Sequence, residues 1–393
     1  MTSFTLNKLC ILTQRILFGQ ALSFLISLTG LWSTLLVDNS VSYPIFQSLV
    51  SYLYIFLFYF PVFIFLKIKY RNHKFSNFSF LYRWWKYAIL GLIDLEANYS
   101  VISAYNYTNL ASVQLLNCFT LPCVLVLSYF ILHMKFSLTH IFGCVIAICG
   151  LVLLVVLDAD GRSYTGGGSN QLIGDLLCLL GSFLYALNNV ITEWFIKGPK
   201  THSSNLKVSL PTAPHLESDQ NLNDLVHSPQ VVGDSQNQDP TAENIDKELS
   251  SIPVSVPVVE YLAMMSLFAL IFSIVQFFAV EWKDFKSNRH NWTGNDYIYQ
   301  VMFGITMLCV YTALPFLFLF TSAAFANLSL LSAGIYAIIW NSSVFHIYPT
   351  VYFILSYIII FLGTLLYNIT DIFHVSFFRR WNYPCGNVAT SDK

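Results

Sequence analysis

Charged residues are scarce in this chain of 393 residues. They make up 10% of the sequence, whereas apolar residues make up 55% and aromatic residues 17%. An average soluble protein has about 25% charged residues, which its water-exposed surface requires. The composition therefore excludes a water-soluble globular protein and predicts an all-α polytopic membrane protein, in which long apolar runs cross the lipid bilayer.

The sequence also lacks an excess of basic charge and any cysteine motif. The 20 basic and 21 acidic residues leave a net charge near -1, so we expect no nucleic-acid partner. Eight cysteines are present but no C-x-x-C pair occurs, which is typical of small packing residues and not of a redox or zinc centre. We therefore expect no metal, no cofactor and no catalytic residue.

Ten apolar runs are long enough to cross about 30 Å of hydrocarbon, which takes roughly 20 helical residues. The closest neighbours are separated by short polar corners, and merging them would produce helices too long for a bilayer. The predicted spans are 17–37, 43–66, 87–107, 110–132, 138–157, 172–196, 257–280, 297–320, 326–346 and 350–371.

The distribution of Lys and Arg predicts the orientation of these spans, because basic residues concentrate on the cytoplasmic side of membrane proteins. With a cytoplasmic N-terminus, 16 of the 20 basic residues fall in cytoplasmic segments and four in outer segments. Since the number of spans is even, a segment at 1–16 and a tail at 372–393 are then both cytoplasmic. The plasma membrane and the Golgi or another endomembrane remain alternatives, and the composition does not determine the oligomeric state.

Residues 198–256 contain no aromatic residue and hold three lysines and eight acidic residues. Such a segment buries too little apolar surface to offset the entropy of ordering it, so we predict a disordered cytoplasmic linker. The linker separates residues 17–197, a first five-helix repeat plus the sixth span, from spans seven to ten at 257–371. Five spans per half would place two related halves in inverted orientations in the membrane.

Two carboxylates lie deep in the third span. Asp94 and Glu96 are about 10 to 14 Å beyond its start, at a rise of 1.5 Å per residue. A carboxylate near the bilayer centre costs about 2.5 to 3.5 kcal/mol, so both must face a polar cavity or a partner, or be protonated. One interpretation is a substrate or proton site, with Asp94, Asn98 and Tyr105 on one helical face. The other is a pair of structural carboxyls bonded to neighbouring helices.

Other polar residues inside the predicted spans are further candidates for binding a substrate or a coupling ion. Besides these four, the candidates are Gln20, Gln47, Gln114, Asn117, Tyr185, Asn189, Glu193, Asn327 and Tyr336. Pro122 and Pro315 are expected to interrupt the fourth and eighth spans, which frees backbone carbonyls.

Two short motifs outside the spans are weak signals. Asp158-Ala159-Asp160 matches the D-x-D pattern that can hold a divalent metal, but no His or further carboxylate accompanies it in the sequence. We interpret both aspartates as solvated residues at a helix end. The glycines at 166–168 lack the Lys-Ser/Thr of a phosphate loop and indicate a flexible connector.

Longer motifs resemble a known family. The motifs are FGQALS at 18–23, PIFQS at 44–48, RWWKY at 83–87, GLIDLEANY at 91–99 and AYNYT at 104–108. They are similar to solute carrier family 35, subfamily F, and within it to the first and second members. The string at 91–99 is the most specific of them.

This resemblance implies the drug/metabolite transporter fold over about 18–197 and 258–370: ten transmembrane helices as two inverted five-helix repeats, working by alternating access. It implies transport of a small polar organic solute that is nucleobase-like, a nucleoside or nucleotide-sugar-like. Two alternatives come from other classes. A membrane-embedded transferase would need a catalytic acid or His at the membrane surface, and a non-transporting receptor or scaffold would recruit partners through the linker.

Overall fold

The apolar runs form long helices. A computed structural model describes residues 2–69, 80–133, 136–163, 170–197, 255–320 and 330–373. The regular elements within these ranges are all helical. They are α1 (Thr2–Asp38), α2 (Pro44–Lys69), α3 (Phe80–Ala104), α4 (Leu110–Leu116), α5 (Thr120–Ile131), α6 (Leu138–Ala159), α7 (Gln171–Lys197), α8 (Ser255–Gln276), α9 (Trp282–Asn288), α10 (Gly294–Phe320), α11 (Ala333–Ser343) and α12 (Val351–Phe373).

Seven helical segments of the described residues are long and apolar enough to cross a membrane. They are Ile16–Asp38, Pro44–Lys69, Leu110–Ile131, Leu138–Ala159, Gln171–Thr192, Val258–Asn291 and Gly294–Pro315. A shorter apolar helix covers Val351–Tyr367, whereas α3, which carries Asp94 and Glu96, is not among the seven. The chain is therefore an all-α, multi-pass membrane protein.

The seventh predicted span is longer than expected. We predict its end at residue 280, but α8 continues through a π-helical turn, Phe277–Glu281, into α9. Glu281 ties this extension to α2, because its two carboxylate oxygens accept hydrogen bonds from the backbone N–H groups of Ile45 and Phe46, both at 2.9 Å. These N–H groups belong to the first turn of α2, which has no helical acceptor for them.

The helical pitch of the fourth predicted span changes before Pro122. A 3₁₀ turn, Asn117–Phe119, joins α4 to α5. Pro122 has no backbone N–H, so the carbonyl of Cys118, four residues earlier, loses its α-helical donor. Pro315 instead lies inside the continuous helix α10, so the predicted interruption there is wrong.

Several predicted segments fall partly or wholly outside the described residues. These are 198–254, which holds most of the predicted linker, residues 326–329 at the start of the ninth span, and residues 374–393 of the predicted tail. At the N-terminus, α1 begins at Thr2, upstream of the predicted start of the first span at residue 17.

Candidate functional site

Asp94 is a buried carboxylate surrounded by hydroxyl and amide donors. Its Oδ2 accepts hydrogen bonds from the hydroxyls of Tyr311 at 2.5 Å and Tyr52 at 2.7 Å. Its Oδ1 accepts a hydrogen bond from Asn188 Nδ2 at 3.1 Å. Asp94 is only 3% exposed, and the three donors come from three different helices. These neutral donors can satisfy the oxygens of a carboxyl group that has left water.

Asn98, one turn after Asp94 on α3, joins the same group. Its Nδ2 lies 2.7 Å from the Tyr52 hydroxyl and 2.9 Å from the Tyr311 hydroxyl. Its Oδ1 accepts a hydrogen bond from the Tyr185 hydroxyl at 2.8 Å. An amide nitrogen carries two hydrogens, so Asn98 can donate to the hydroxyls of Tyr52 and Tyr311 at the same time.

These residues are called the Asp94 cluster below: Tyr52, Asp94, Asn98, Tyr185, Asn188 and Tyr311. The cluster connects α2, α3, α7 and α10 through polar side chains. Asp94, Asn98 and Tyr185 are predicted from the sequence, and the structure brings these three together.

Three members of the Asp94 cluster are absent from the predicted site. Tyr52 and Tyr311 stand in runs rich in other aromatic residues, so nothing in their immediate sequence separates them from packing residues. Asn188 does have a signal: it lies three residues after Tyr185 and therefore on the same helical face. Its neighbour Asn189, which we predict as a site residue, is exposed.

Glu96 points away from Asp94, because residues two apart on a helix face different directions. Its Oε1 accepts a hydrogen bond from Gln276 Nε2 on α8 at 3.2 Å. Glu96 is partly exposed, whereas Asp94 is buried. The two carboxylates therefore have different partners and different surroundings.

Tyr105 does not continue the helical face of Asp94 and Asn98, so that part of the prediction is wrong, whereas its role in binding stays a prediction. Helix α3 ends at Ala104, and Tyr105 lies in the following turn, where the helical face no longer continues. Its hydroxyl accepts a hydrogen bond from Gln114 Nε2 at 3.1 Å. Gly30 lies against this pair: a Cβ there would be 2.8 Å from the Tyr105 hydroxyl and 2.9 Å from Gln114 Nε2.

Three other predicted residues, Gln20, Gln47 and Tyr336, take part in contacts between α1 and its neighbours. Gln20 Nε2 donates to Ser332 Oγ, and the Tyr336 hydroxyl donates to Gln20 Oε1, both at 3.1 Å. Gln47 Nε2 donates to Ser33 Oγ at 2.7 Å. Polar contacts between helices thus occur at several separate places along α1.

Asn117 contacts a different part of α7 from the Asp94 cluster. Asn117 Oδ1 accepts a hydrogen bond from Ser182 Oγ on α7 at 3.1 Å. Asn327 and the side chain of Glu193 lie outside what the structure describes.

The D-x-D motif differs from its prediction. Asp160 is exposed, but Asp158 is 1% exposed and lies beside the carboxyl of Asp175, so its interpretation as a solvated residue is wrong. Asp175 is 17 residues further along the chain, which is why the motif looks unaccompanied in the sequence. Within the described ranges, no group of three or more His, Cys, Asp or Glu residues could hold a metal ion.

A family model described as SLC35F, solute carrier family 35, matches residues 8–210 and 244–369 of this chain. The chain belongs to solute carrier family 35, subfamily F. Solute carrier family 35 member F2 of Mus musculus is 31% identical over 356 residues, which cover 90% of this chain and 78% of the relative. The protein of the same name from Xenopus tropicalis is 28% identical over 380 residues, covering 94% and 81%.

An uncharacterized solute carrier family 35 member from Schizosaccharomyces pombe is 26% identical over 357 residues, which cover 89% of this chain and 57% of that relative. The family-35 resemblance seen in the sequence motifs is therefore confirmed over most of the chain. Family-35 membership together with the apolar helices supports a solute transporter in a membrane, with a small solute and the lipid bilayer as its partners.

Proposed function

We propose that this family-35 protein carries a small polar organic solute across a membrane by alternating access, with the Asp94 cluster at the centre of its solute site. The proposal includes ten transmembrane helices in two inverted five-helix repeats. It also includes the predicted domain limits and the cytoplasmic positions of both termini and of the linker at 198–256.

The buried, donor-surrounded carboxylate of Asp94 is the observation that carries this proposal. A residue that only packed helices together could be Leu, which avoids the desolvation of a charge. Asp94 instead binds Tyr52 and Asn188, which precede the linker, and Tyr311, which follows it. A movement between the two halves would separate Tyr311 from Asp94 and free carboxylate oxygens for a solute.

The chemistry of the Asp94 cluster favours a flat, nitrogen-rich solute. Carboxylate oxygens accept N–H donors, the two amides offer both donors and acceptors, and three phenol rings provide aromatic faces on which a ring can stack. The six residues of the cluster include no basic residue, whereas a diphosphate would require one. Among the three solute classes, a nucleobase-like compound or a nucleoside therefore fits the cluster better than a nucleotide sugar.

Glu96 remains a second candidate for the transport cycle through its contact with Gln276 on α8. Because its partner differs from those of Asp94, we expect a different role. Asp94 contacts the solute, and Glu96 contributes to the helix movement or to ion coupling.

The test uses purified protein in liposomes and a panel of labelled nucleobases, nucleosides and nucleotide sugars. A thermal-shift screen first identifies compounds that bind, because a ligand that binds only the folded state raises the melting temperature. We expect a nucleobase-like compound or a nucleoside to bind and to enter the vesicles unchanged. A chemically altered product would indicate a transferase, and binding without flux a receptor.

Asp94→Asn is the decisive variant, since it keeps the shape of the side chain and removes the charge. We expect a correctly inserted protein whose uptake falls at least about tenfold, the effect of losing about 1.4 kcal/mol of binding. Asp160→Asn, at an exposed position, is the matched control. Unchanged uptake in Asp94→Asn would contradict the assignment of the site.

A further inference from the structure

Asp158 and Asp175 form a second buried carboxyl pair. Asp158 lies in the last turn of α6 and is 1% exposed, and Asp175 lies near the start of α7 and is 0% exposed. Each carboxyl group is a close neighbour of the other. Asp175 stands ten residues before Tyr185 on α7, about 15 Å along the helix, so the pair is distinct from the Asp94 cluster.

No cation compensates this pair among the described residues. Arg162 is the nearest basic residue in sequence, but it approaches the exposed Asp160 at 3.9 Å. None of the four carboxyl oxygens of Asp158 and Asp175 has a hydrogen-bond partner among the described residues. The nearest titratable group on the same helix is Cys178, one turn further along α7.

Unpartnered hydroxyls surround the two carboxyls. Ser112 and Ser163 are both 0% exposed and lie beside Asp158, and Thr108 is 4% exposed and lies beside Asp175. The hydroxyl oxygens of all three have no hydrogen-bond partner among the described residues. These side chains come from the start of α4, the α6–α7 connection and the turn after α3. Together with α6 and α7, five segments contribute polar groups to one place.

Two backbone contacts bring these segments close together. A Cβ at Gly174, next to Asp175, would lie 2.8 Å from Thr108 Cβ, so only glycine permits this approach of α7 to the α3–α4 turn. The carbonyl oxygen of Ser163 accepts a hydrogen bond from the backbone N–H of Thr350 at 2.9 Å. Contacts of residues next to Asp175 and of Ser163 therefore hold the chain around the two carboxyls in place.

Two neighbouring carboxylates that are both buried, with no cation beside them among the described residues, cannot both keep a charge at low cost. One proton between them forms an O–H···O⁻ hydrogen bond, a strong charge-assisted kind. The hydroxyls of Ser112, Ser163 and Thr108 can then donate to the remaining oxygens. We propose that Asp158 and Asp175 form an ion site that holds one shared proton and couples solute transport to a proton gradient.

On release, the O–H bond breaks and the proton passes to water that enters as the ends of α6 and α7 separate. The second negative charge that remains is stabilised by the three hydroxyls. The presence of the shared proton stands independently of the solute. Its coupling to transport rests on the proposed function.

Infrared spectroscopy of purified protein in liposomes tests the shared proton without any solute. A protonated carboxyl gives a C=O stretching band that shifts in D₂O. We expect one component of this band to be lost in both Asp158→Asn and Asp175→Asn and to persist in Asp94→Asn and in the exposed control Asp160→Asn. A component absent from the wild type, or unchanged in both variants, would overturn the proposal.

Adding sodium or calcium salts distinguishes a bound proton from a bound metal ion. If NaCl or CaCl₂ removes the component at constant pH, the pair is a metal site and the proposal is wrong. Ser112→Ala covers the case in which the Asn variants do not fold. This variant keeps both carboxyls and removes one hydroxyl donor, so we expect the infrared component to shift in frequency and not to disappear. An unshifted component would contradict the placement of Ser112 beside the Asp158–Asp175 pair.

Coupling is measured with a pH gradient across the liposomes and a solute found in the screen. Wild-type uptake should rise with the gradient, and Asp158→Asn should transport without responding to it. A wild type that transports equally well without a gradient would refute coupling while leaving the proposed transport intact. A protein that moves no solute but retains the infrared component would refute transport while leaving the proton site intact.

Discussion

Tyr311 illustrates how one hydroxyl serves two buried partners. It donates to Asp94 at 2.5 Å and lies 2.9 Å from Asn98 Nδ2. Tyr311→Phe keeps the ring and removes the hydroxyl, which leaves Asp94 with fewer donors and costs about 1 to 3 kcal/mol. We expect a lower melting temperature of the purified protein and reduced uptake.

Tyr297→Phe is the matched control for this substitution, because Tyr297 lies on the same helix and is 53% exposed. Equal melting temperatures for the two variants would show that the Tyr311 hydroxyl contributes nothing to stability.

Site residues can be predicted from the sequence where a polar side chain costs free energy inside its own apolar span. Asp94 and Asn98 stand out because a carboxylate and an amide are costly inside an apolar span. Tyr311 cannot stand out in this way, because its role depends on a partner 217 residues away. The same reason hides Asp175, because its neighbour Asp158 is 17 residues away in the sequence and on another helix.

At the scale of elements, the contact of Glu281 with the start of α2 connects two helices that are 235 residues apart in sequence. Tyr43 and Phe46 pack beside it against Phe285, with ring centroids 5.4 and 4.8 Å apart. Glu281→Gln replaces one acceptor oxygen by an NH₂ group that cannot accept from a backbone N–H. Hydrogen bonds to charged groups contribute about 1.5 to 3 kcal/mol, so we expect a clear fall in melting temperature.

Asp284→Asn is the control for this element, because Asp284 lies on the next turn and its side chain is exposed. If both variants melt at the wild-type temperature, Glu281 does not stabilise the start of α2.

The helices themselves are largely predictable from the apolar runs, since a run of about 20 residues can satisfy its backbone in lipid only as a helix. Helical segments of the structure overlap all ten predicted spans. The structure differs from the prediction in where some helices end and in their local helical pitch. The continuation of α8 into α9 depends on Glu281 meeting α2, and the 3₁₀ turn at Asn117–Phe119 depends on how Pro122 is accommodated.

For the whole molecule, residues 198–256 are predicted to be dispensable for folding. Their composition cannot form a packed core, so their removal should cost no buried contact. Replacing most of this segment by a short Gly/Ser connector should leave expression, membrane insertion and the melting temperature unchanged. Loss of folded protein would refute the prediction, and a connector of native length with shuffled sequence controls for linker length.

The orientation of the chain is the last prediction, and it follows from the excess of basic residues in the segments assigned to the cytoplasm. That assignment places the sequon Asn291-Trp292-Thr293 outside and the sequon that begins at Asn77 inside. Asn291 is exposed at the end of the α8–α9 extension, where a glycan can be attached. We expect luminal glycosylation that disappears in Asn291→Gln.

Trp292 packs against Tyr43 with ring centroids 6.0 Å apart, which can hinder glycosylation, so a second measurement is needed. Asn291→Cys and Asn77→Cys, in a protein whose exposed native cysteines are replaced, are treated with a membrane-impermeant thiol reagent on intact cells or sealed, correctly oriented vesicles. Labelling at 291 and protection at 77 would confirm the orientation. The reverse pattern would show that the chain is inserted the other way round, because the membrane admits the reagent on one side only.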